Sequence, residues 1–477
     1  LVSNYYLQEM FLKFKPMKIY YCLFAVILIA SCRYSQEEKW ENLFNGKNLD
    51  GWERLDGTAE YRVENGEIVG VSTIGTPNTF LATKETYTDF ILEFEIKMDP
   101  GLNSGVQFRS RSHKPDGTER VNGYQVECDD HADRKWVGGI YEEALREWLY
   151  PMSYNREAGK VFKRGEWNHF RVEAVVNTIR TYVNGVSFAN LVDDACPEGF
   201  IALQVHNIND PSLAGREIRW RNIRILKEDP ASAMLKPETL APEVSYLDNR
   251  LTDFQKSQGW KLLWDGKTTD GWRGAKLEGF PSEGWNIEKG VLTVEKSGGG
   301  ESAHGGDIIT VEKYRNFILE VDFLITRGAN SGIKYFVDPE LNRGEGSAIG
   351  CEFQILDDQN HPDAKMGVAG NHTLGSLYDL IPPNALLHGE DNKVKRFNGT
   401  GSWNRARIEV HGKKVSHHLN GVKVVEYERG TQMWKAMVAC SKYAQWPAFG
   451  EAEEGHILLQ DHGDEVSFKN MKILEIH

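Results

Sequence analysis

The stretch Gly455–Leu474, GHILLQDHGDEVSFKNMKIL, decides how the chain is read. Ile457 and Leu459 alternate with Leu458 and Gln460, and the alternation resumes at Val466, Phe468 and Met471. Two short strands with a polar turn between them are predicted. Asp461, His462, Gly463 and Asp464 fill the turn, so an imidazole and two carboxylates sit at a strand end. The same stretch occurs earlier as Gly199–Leu226, GFIALQVHNINDPSLAGREIRWRNIRIL. Leu203, Gln204, Val205 and His206 stand against Leu459, Gln460, Asp461 and His462. Arg221-Asn222 through Leu226 stands against Lys469-Asn470 through Leu474.

Working outward, the duplication extends over most of the chain. Trp40–Gly46, WENLFNG, is echoed by Trp260–Gly266, WKLLWDG, and Asp50-Gly51-Trp52 by Asp270-Gly271-Trp272, both at an offset of 220 residues. Asp89–Glu95 matches Asn316–Asp322, and Asn103–Arg109, NSGVQFR, matches Asn330–Phe336, NSGIKYF. Trp167-Asn168 matches Trp403-Asn404, and the turn Asn184-Gly185 matches Asn420-Gly421. Asn-Gly between apolar runs is a hairpin turn. Trains of alternating strands without helical periods predict an all-β protein, built of two antiparallel sandwiches in tandem. The expected division is 1–32, an upstream extension and export signal; 40–226, a first sandwich; 227–259, a linker; and 260–477, a second sandwich. The linker holds Pro230, Pro237 and Pro242, and Thr252–Gln255 has the form of a capping box that opens a short helix.

Charge and cysteine usage bound the function. A formal charge of −13 and the lack of a basic stripe exclude nucleic acid as a partner. Met17-Lys18, the apolar run Ile19–Ala30 and Ser31-Cys32 describe a secretory signal too short to span a bilayer. Ile29–Cys32 resembles a bacterial lipobox, which implies a lipid on Cys32, a membrane anchor through it, and a place in the cell envelope, periplasmic or on the outer-membrane surface. Cys128, Cys196, Cys351 and Cys440 show no zinc-ligand spacing and are expected to be buried thiols.

In their order, occurring twice, LFNG/LWDG, DGW, NSG, GYQVE/GCEFQ, GGIYEE/GSLYDL, WN, NG and LQ-x-H make each half resemble the 3-keto-disaccharide hydrolase family. That resemblance implies concanavalin-A-like jelly rolls and extracytoplasmic work on a glycoside or oligosaccharide. It implies cleavage of 3-keto-glycosides by elimination and hydration or by hydrolysis. The alternatives are a lectin-like sugar-binding protein, and one active copy beside one degenerate binding copy. The halves differ: Val205 stands where the second copy has Asp461, and the first copy carries Tyr141, Glu142, Arg146 and Trp148 in YEEALREWLYP.

A 3-ketone makes the C2 proton of a sugar acidic. Its removal lets the C1 oxygen leave, so the site needs a base, a donor for the enolate oxygen and an acid for the leaving group. His462 and His206 are the candidate bases. Glu352 with Gln354, and Gln125 with Glu127, lie two apart on a strand and so share a face. Lys334 and Arg109 follow the NSG turns and could bind the oxyanion. Tyr141, Glu142, Arg146 and Trp148 in the first copy, and Tyr378, Asp379 and Trp446 in the second, are candidate substrate contacts. No cofactor or metal site is assigned, although calcium could use Asp129-Asp130-His131-x-Asp133 or Asp357-Asp358-x-x-His361-x-Asp363. The paired-carboxylate strand E-x-D-x-x-E of jelly-roll glucanases is absent.

Overall fold

Alternating apolar residues place two separate cores along the chain, one for each half. Ile201, Leu203 and Val205 point into the first core, with Val106, Phe108 and Phe94 opposite them; Ile457, Leu459, Ile333 and Phe323 do the same in the second. The computed structural model describes residues 39–132, 134–236, 239–298, 300–383 and 396–476. Cys32 and the export segment lie outside these residues.

Each half is a jelly-roll sandwich of two antiparallel-built sheets. The first pairs a nine-stranded sheet with a seven-stranded one, and the second an eight-stranded sheet with a five-stranded one. The smaller sheet of the first half runs Glu147–Tyr150, Ile140–Glu143, Glu119–Asp129, Asn103–His113, Phe200–Val205, Thr79–Thr83, Trp52–Asp56. Its counterpart runs Ile349–Leu356, Asn330–Asp338, His456–Leu459, Ile308–Thr310, Trp272–Gly274. The hairpin Ile140–Tyr150 of the first half is reduced in the second to the isolated bridges Phe353–Leu377 and Leu377–Ile381.

The strands on either side of the polar turn in Gly455–Leu474 belong to different sheets. His456–Leu459 pairs with Asn330–Asp338 in the small sheet, whereas Val466–Glu475 pairs with Phe317–Ile325 in the large one. The turn is a corner of the sandwich, and His462 stands on it at the end of the smaller sheet. Phe200–Val205 and Glu217–Leu226 repeat this arrangement around His206.

The shared motifs fix the framework by local hydrogen bonds. Trp52 and Trp272 donate their indole N–H to the carbonyls of Leu43 and Leu263, tying DGW to LFNG and LWDG. Asn168 and Asn404 accept from the side chains of Asn184 and Asn420, which locks each WN to its NG turn. Asn184 and Asn420 have φ of 48° and 47°, the left-handed region that a two-residue hairpin turn requires.

Two expectations are corrected. Residues 227–259 do more than link: Glu243–Ser245 adds a parallel strand to the first large sheet beside Val186–Val192. Ser245 also accepts from Arg405 of the second half at 2.8 Å, and Tyr246 lies 4.2 Å under that guanidinium. The capping box is present, with Thr252 and Gln255 exchanging bonds at the start of helix Asp253–Ser257. Cys128, Cys196 and Cys351 are buried free thiols, but Cys440 is exposed, because it lies at the end of helix Gln432–Ala439.

Candidate functional site

NSG explains how the groove is made. The serine turns inward: Ser104 and Ser331 donate to the backbone carbonyls of Gln204 and Gln460, joining two strands of the small sheet. The glycine makes room. A Cβ on Gly105 would stand 2.1 Å from the Gln125 side chain, and one on Gly332 2.2 Å from Glu352 Oε1. The asparagine faces outward onto the groove with every second residue after it.

In the second half this face carries Asn330, Lys334, Glu352, Gln354 and Gln460. Lys334 and Glu352 are register partners across the two strands, and their charges stand 3.7 Å apart. Glu301, from the loop before Ile308–Thr310, comes within 3.8 Å of Lys334 and accepts from Gln460 at 2.6 Å. Ser347 bridges Lys334 and Asp307. Burial works against the Lys334 ammonium, yet Glu352, Asp307 and Glu301 outweigh it and hold the lysine above its ordinary value. The two glutamates part company. Burial pushes Glu352 up despite the pull of Lys334. Burial also opposes ionisation of Glu301, but Lys334, Lys442 and His462 hold it down. Carboxylates driven apart in this way assign an acid and an ionised partner.

His462 joins the cluster through Asn330. Gln354 donates to Asn330 Oδ1 at 3.0 Å, which turns the Asn330 amide nitrogen toward His462 Nε2 at 3.3 Å. With the Asn330 amide nitrogen as donor, His462 Nε2 is the accepting nitrogen. His361 stands beside it, ring centroids 6.2 Å apart. Tyr378 donates its amide N–H to the Glu352 carbonyl, and its ring lies between His372, 4.3 Å away, and the Lys442 ammonium, 4.2 Å away. His372 is itself held by Asp363 and Asp379, each at 2.9 Å.

The first half repeats the lattice with other groups. Gln107 takes the place of Lys334, Gln125 that of Glu352, and Glu127 that of Gln354. Gln107 and Gln125 are again register partners, bonded at 2.9 Å. Gln125 and Asn103 both donate to Glu127, at 3.0 and 2.5 Å. Burial lifts Glu127 to about 8, with Asp129 adding to the shift. His206 Nδ1 lies 2.7 Å from the Asn207 carbonyl, which fixes Nε2 as the acceptor, and burial keeps the ring below its ordinary pKa. The groove, about 530 Å³, is walled by Tyr141, Trp136 and Trp148 and by Arg396 and Phe397 of the second half.

The sequence candidates divide accordingly. The structure brings His462, Glu352, Gln354, Lys334, Tyr378 and Asp379 into one linked cluster, and His206, Gln125, Glu127, Tyr141 and Trp148 around one groove. Arg109 joins neither. It stands two residues beyond Gln107 at φ 47°, and its guanidinium is spent on Thr88, Val176 and Asp89. Its counterpart is Phe336, at φ 54°. Glu142, buried, and Arg146, partly exposed, form a network with Asp193 and Tyr124 on the other face, because period two sends Glu143, not Glu142, to the side of Tyr141. Asp461 is fully buried and accepts from the backbone of His304, Gly306 and Gly463, so it shapes the loop that carries Glu301. Trp446 packs against Tyr443 at the core edge.

The acidic loops use their carboxylates on turns. Asp357 accepts from Gly328 and Gln359, Asp130 from Gly165, and Asp129 pairs with His131. Asp133 lies outside the described residues. Sequence reasoning missed Glu301, Asp307, His372 and Lys442, which lie in loops or, for Lys442, a one-turn helix, without a repeat partner. Charge at the rim of an otherwise apolar strand, as in Asp307 before Ile308, was the signal available.

The chain is 38% identical over 237 residues to a 3-keto-disaccharide hydrolase of Bacteroides thetaiotaomicron, an alignment covering 46% of this chain and 78% of that protein. A candidate glycosyl hydrolase of Parabacteroides distasonis is 30% identical, with a TM-score of 0.40, covering 48% of this chain and all of the other. A second one from the same organism is 25% identical, with a TM-score of 0.32, covering 46% of this chain and 99% of the other. The model of the 3-keto-alpha-glucoside-1,2-lyase-like domain matches residues 39–226 and again 259–474, so the chain belongs to that family and carries its domain twice.

Proposed function

We propose that the protein cleaves 3-keto-glycosides, and that the second half is its catalytic centre. The observation that carries this reading is the Lys334 ammonium set between Glu352, pushed up, and Glu301, held down, with His462 linked to them through Asn330 and Gln354. Those are the proton affinities that an elimination asks for. His462 Nε2, released by Asn330 as the sugar enters, takes the C2 proton of the keto sugar. The electrons move onto the C3 oxygen, where Lys334 offsets the charge. They return to form the C1=C2 bond as the C1–O bond breaks, and Glu352 protonates the departing oxygen. Water then adds across the double bond. The 38% identical 3-keto-disaccharide hydrolase supports this substrate class.

The test is a panel of 3-keto-glycosides beside their parent glycosides, assayed with the parent protein and with His462→Ala. Loss of a positioned base costs about 10²–10⁴ in rate. Release of the aglycone from the keto sugars alone, lost in the variant, is the expected result. Binding of the panel without cleavage would favour the lectin-like alternative. Export with a lipid on Cys32 belongs to the same proposal. Cys32→Ser should release the protein from the membrane fraction, and an intact Met17 N-terminus by mass spectrometry would refute it.

A further inference from the structure

We infer that the groove of the first half is a separate binding site for an uncharged pyranoside, one that holds the sugar without cleaving it. The inference rests on the reading above only in placing turnover in the second half. Its evidence lies in groups the elimination does not use.

The first observation is a set of buried polar atoms aimed at nothing. Gln204 is wholly buried and lines the groove, yet neither its amide nitrogen nor its amide oxygen has a partner. Asn103 Oδ1 and Trp136 Nε1, lining the same groove, are also unpartnered. An unmet buried donor or acceptor costs about 1–3 kcal/mol, so a site that keeps several is shaped for something that meets them. Hydroxyl groups, each both donor and acceptor, fit a row of amide nitrogens and oxygens.

The second observation is the wall. Tyr141 and Trp148 meet edge to face at 5.4 Å, and Trp136 meets Trp148 at the same distance. Such a cluster is rigid and presents apolar ring surface beside polar amides, as sugar C–H faces require. Phe397 and Arg396, the latter 5.3 Å over Trp148, close the groove from the second half. The site is thus completed only in the tandem chain.

The third observation explains why the site does not cleave. The register pair at its centre is Gln107 with Gln125, two neutral amides, where the second half has Lys334 with Glu352. No ammonium stands at that position to hold an enolate. Glu127, kept protonated by burial at neutral pH, offers a donor instead of a charge.

The experiment is calorimetric titration of the intact protein with a parent α-glucoside, which lacks the keto group and is not turned over. Trp148→Ala and, separately, Gln204→Leu are titrated alongside, with cooperative melting as the check on folding. The expected result is one binding site fewer per chain in each folded variant, or affinity there about tenfold or more weaker, the loss of about one buried polar contact. Unchanged stoichiometry and affinity in a folded variant would overturn the inference. So would 3-keto-glycoside turnover that persists in Lys334→Gln/Glu352→Gln and vanishes on adding Glu127→Gln. The binding result does not depend on turnover, so failure of the catalytic reading would leave it readable.

Discussion

The two halves share one backbone lattice and differ in the charge placed on it. Across the same pair of strands, the second half sets Lys334 against Glu352, and the first sets Gln107 against Gln125. Two residues further along the strand, the preference reverses: the first half has Glu127 and the second Gln354. Asn103 and Asn330, Gln204 and Gln460, and His206 and His462 are common to both. The hydrogen-bonding skeleton is common to both halves, and the carboxylate stands two residues apart along the strand. A carboxylate beside an ammonium is a centre for charge development, whereas one among amides is a buried neutral acid.

The largest effect should come from the charges themselves. Glu352→Gln is expected to lower turnover of a 3-keto-glycoside by about 10²–10⁴, as removal of a general acid does. A steady-state assay that found turnover intact would place the acid elsewhere.

The large sheets offer a second contrast. Asp322 is buried, bonded by Arg405 at 2.6 and 2.9 Å and by Asn470 at 2.7 Å. Its counterpart Glu95 is partly exposed and pairs with Arg221. Asp322→Ala leaves the buried Arg405 guanidinium with only Glu320, 3.8 Å away, as a carboxylate partner and should cost about 3 kcal/mol, whereas Glu95→Ala should cost about 1 kcal/mol or less. Equal losses in denaturant unfolding would contradict the difference in burial.

Gly332 gives a subtler test of positioning. Its Cβ would meet the Glu352 carboxylate at 2.2 Å. Gly332→Ala should leave the protein folded and cut turnover about 10²-fold, the cost of a displacement near 1 Å. A variant with parent kinetics would show that the carboxylate tolerates the shift.

The smallest effect is in pH. Burial raises Glu127 from an ordinary 4.5 to about 8 in the folded chain. The folded state keeps a proton that the unfolded state has lost, so the parent loses stability as pH rises from about 4.5 to about 8. Glu127→Gln, which carries the residue the second half has at Gln354, should gain on the parent across that window and hold the gain above it. A pH-independent difference in melting temperature would mean that Glu127 ionises normally.

Much of this was legible in the chain. Alternation and Asn-Gly turns marked the strands, and the doubled motifs marked the two sandwiches. NSG and LQ-x-H pointed at residues that do line the grooves. What failed did so for geometric reasons. Arg109 follows NSG as Lys334 does, but its own backbone is left-handed and turns its side chain off the groove face, which an extended reading cannot foresee. Glu142 was chosen beside Tyr141, although adjacent residues of a strand face opposite ways. Glu301 and Asp307 reach the site from a loop and Lys442 from the start of the one-turn helix Lys442–Gln445, and such short segments carry no periodicity to betray where they fold.

In the proposed division of labour, charge at the centre of the lattice separates the cleaving half from the binding half. Lys334→Gln/Glu352→Gln tests it most directly, since it gives the second half the amide pair of the first. Aglycone release from a 3-keto-α-glucoside, measured on this folded double variant, is predicted to fall by about 10²–10⁴. Release at the parent rate would contradict the account.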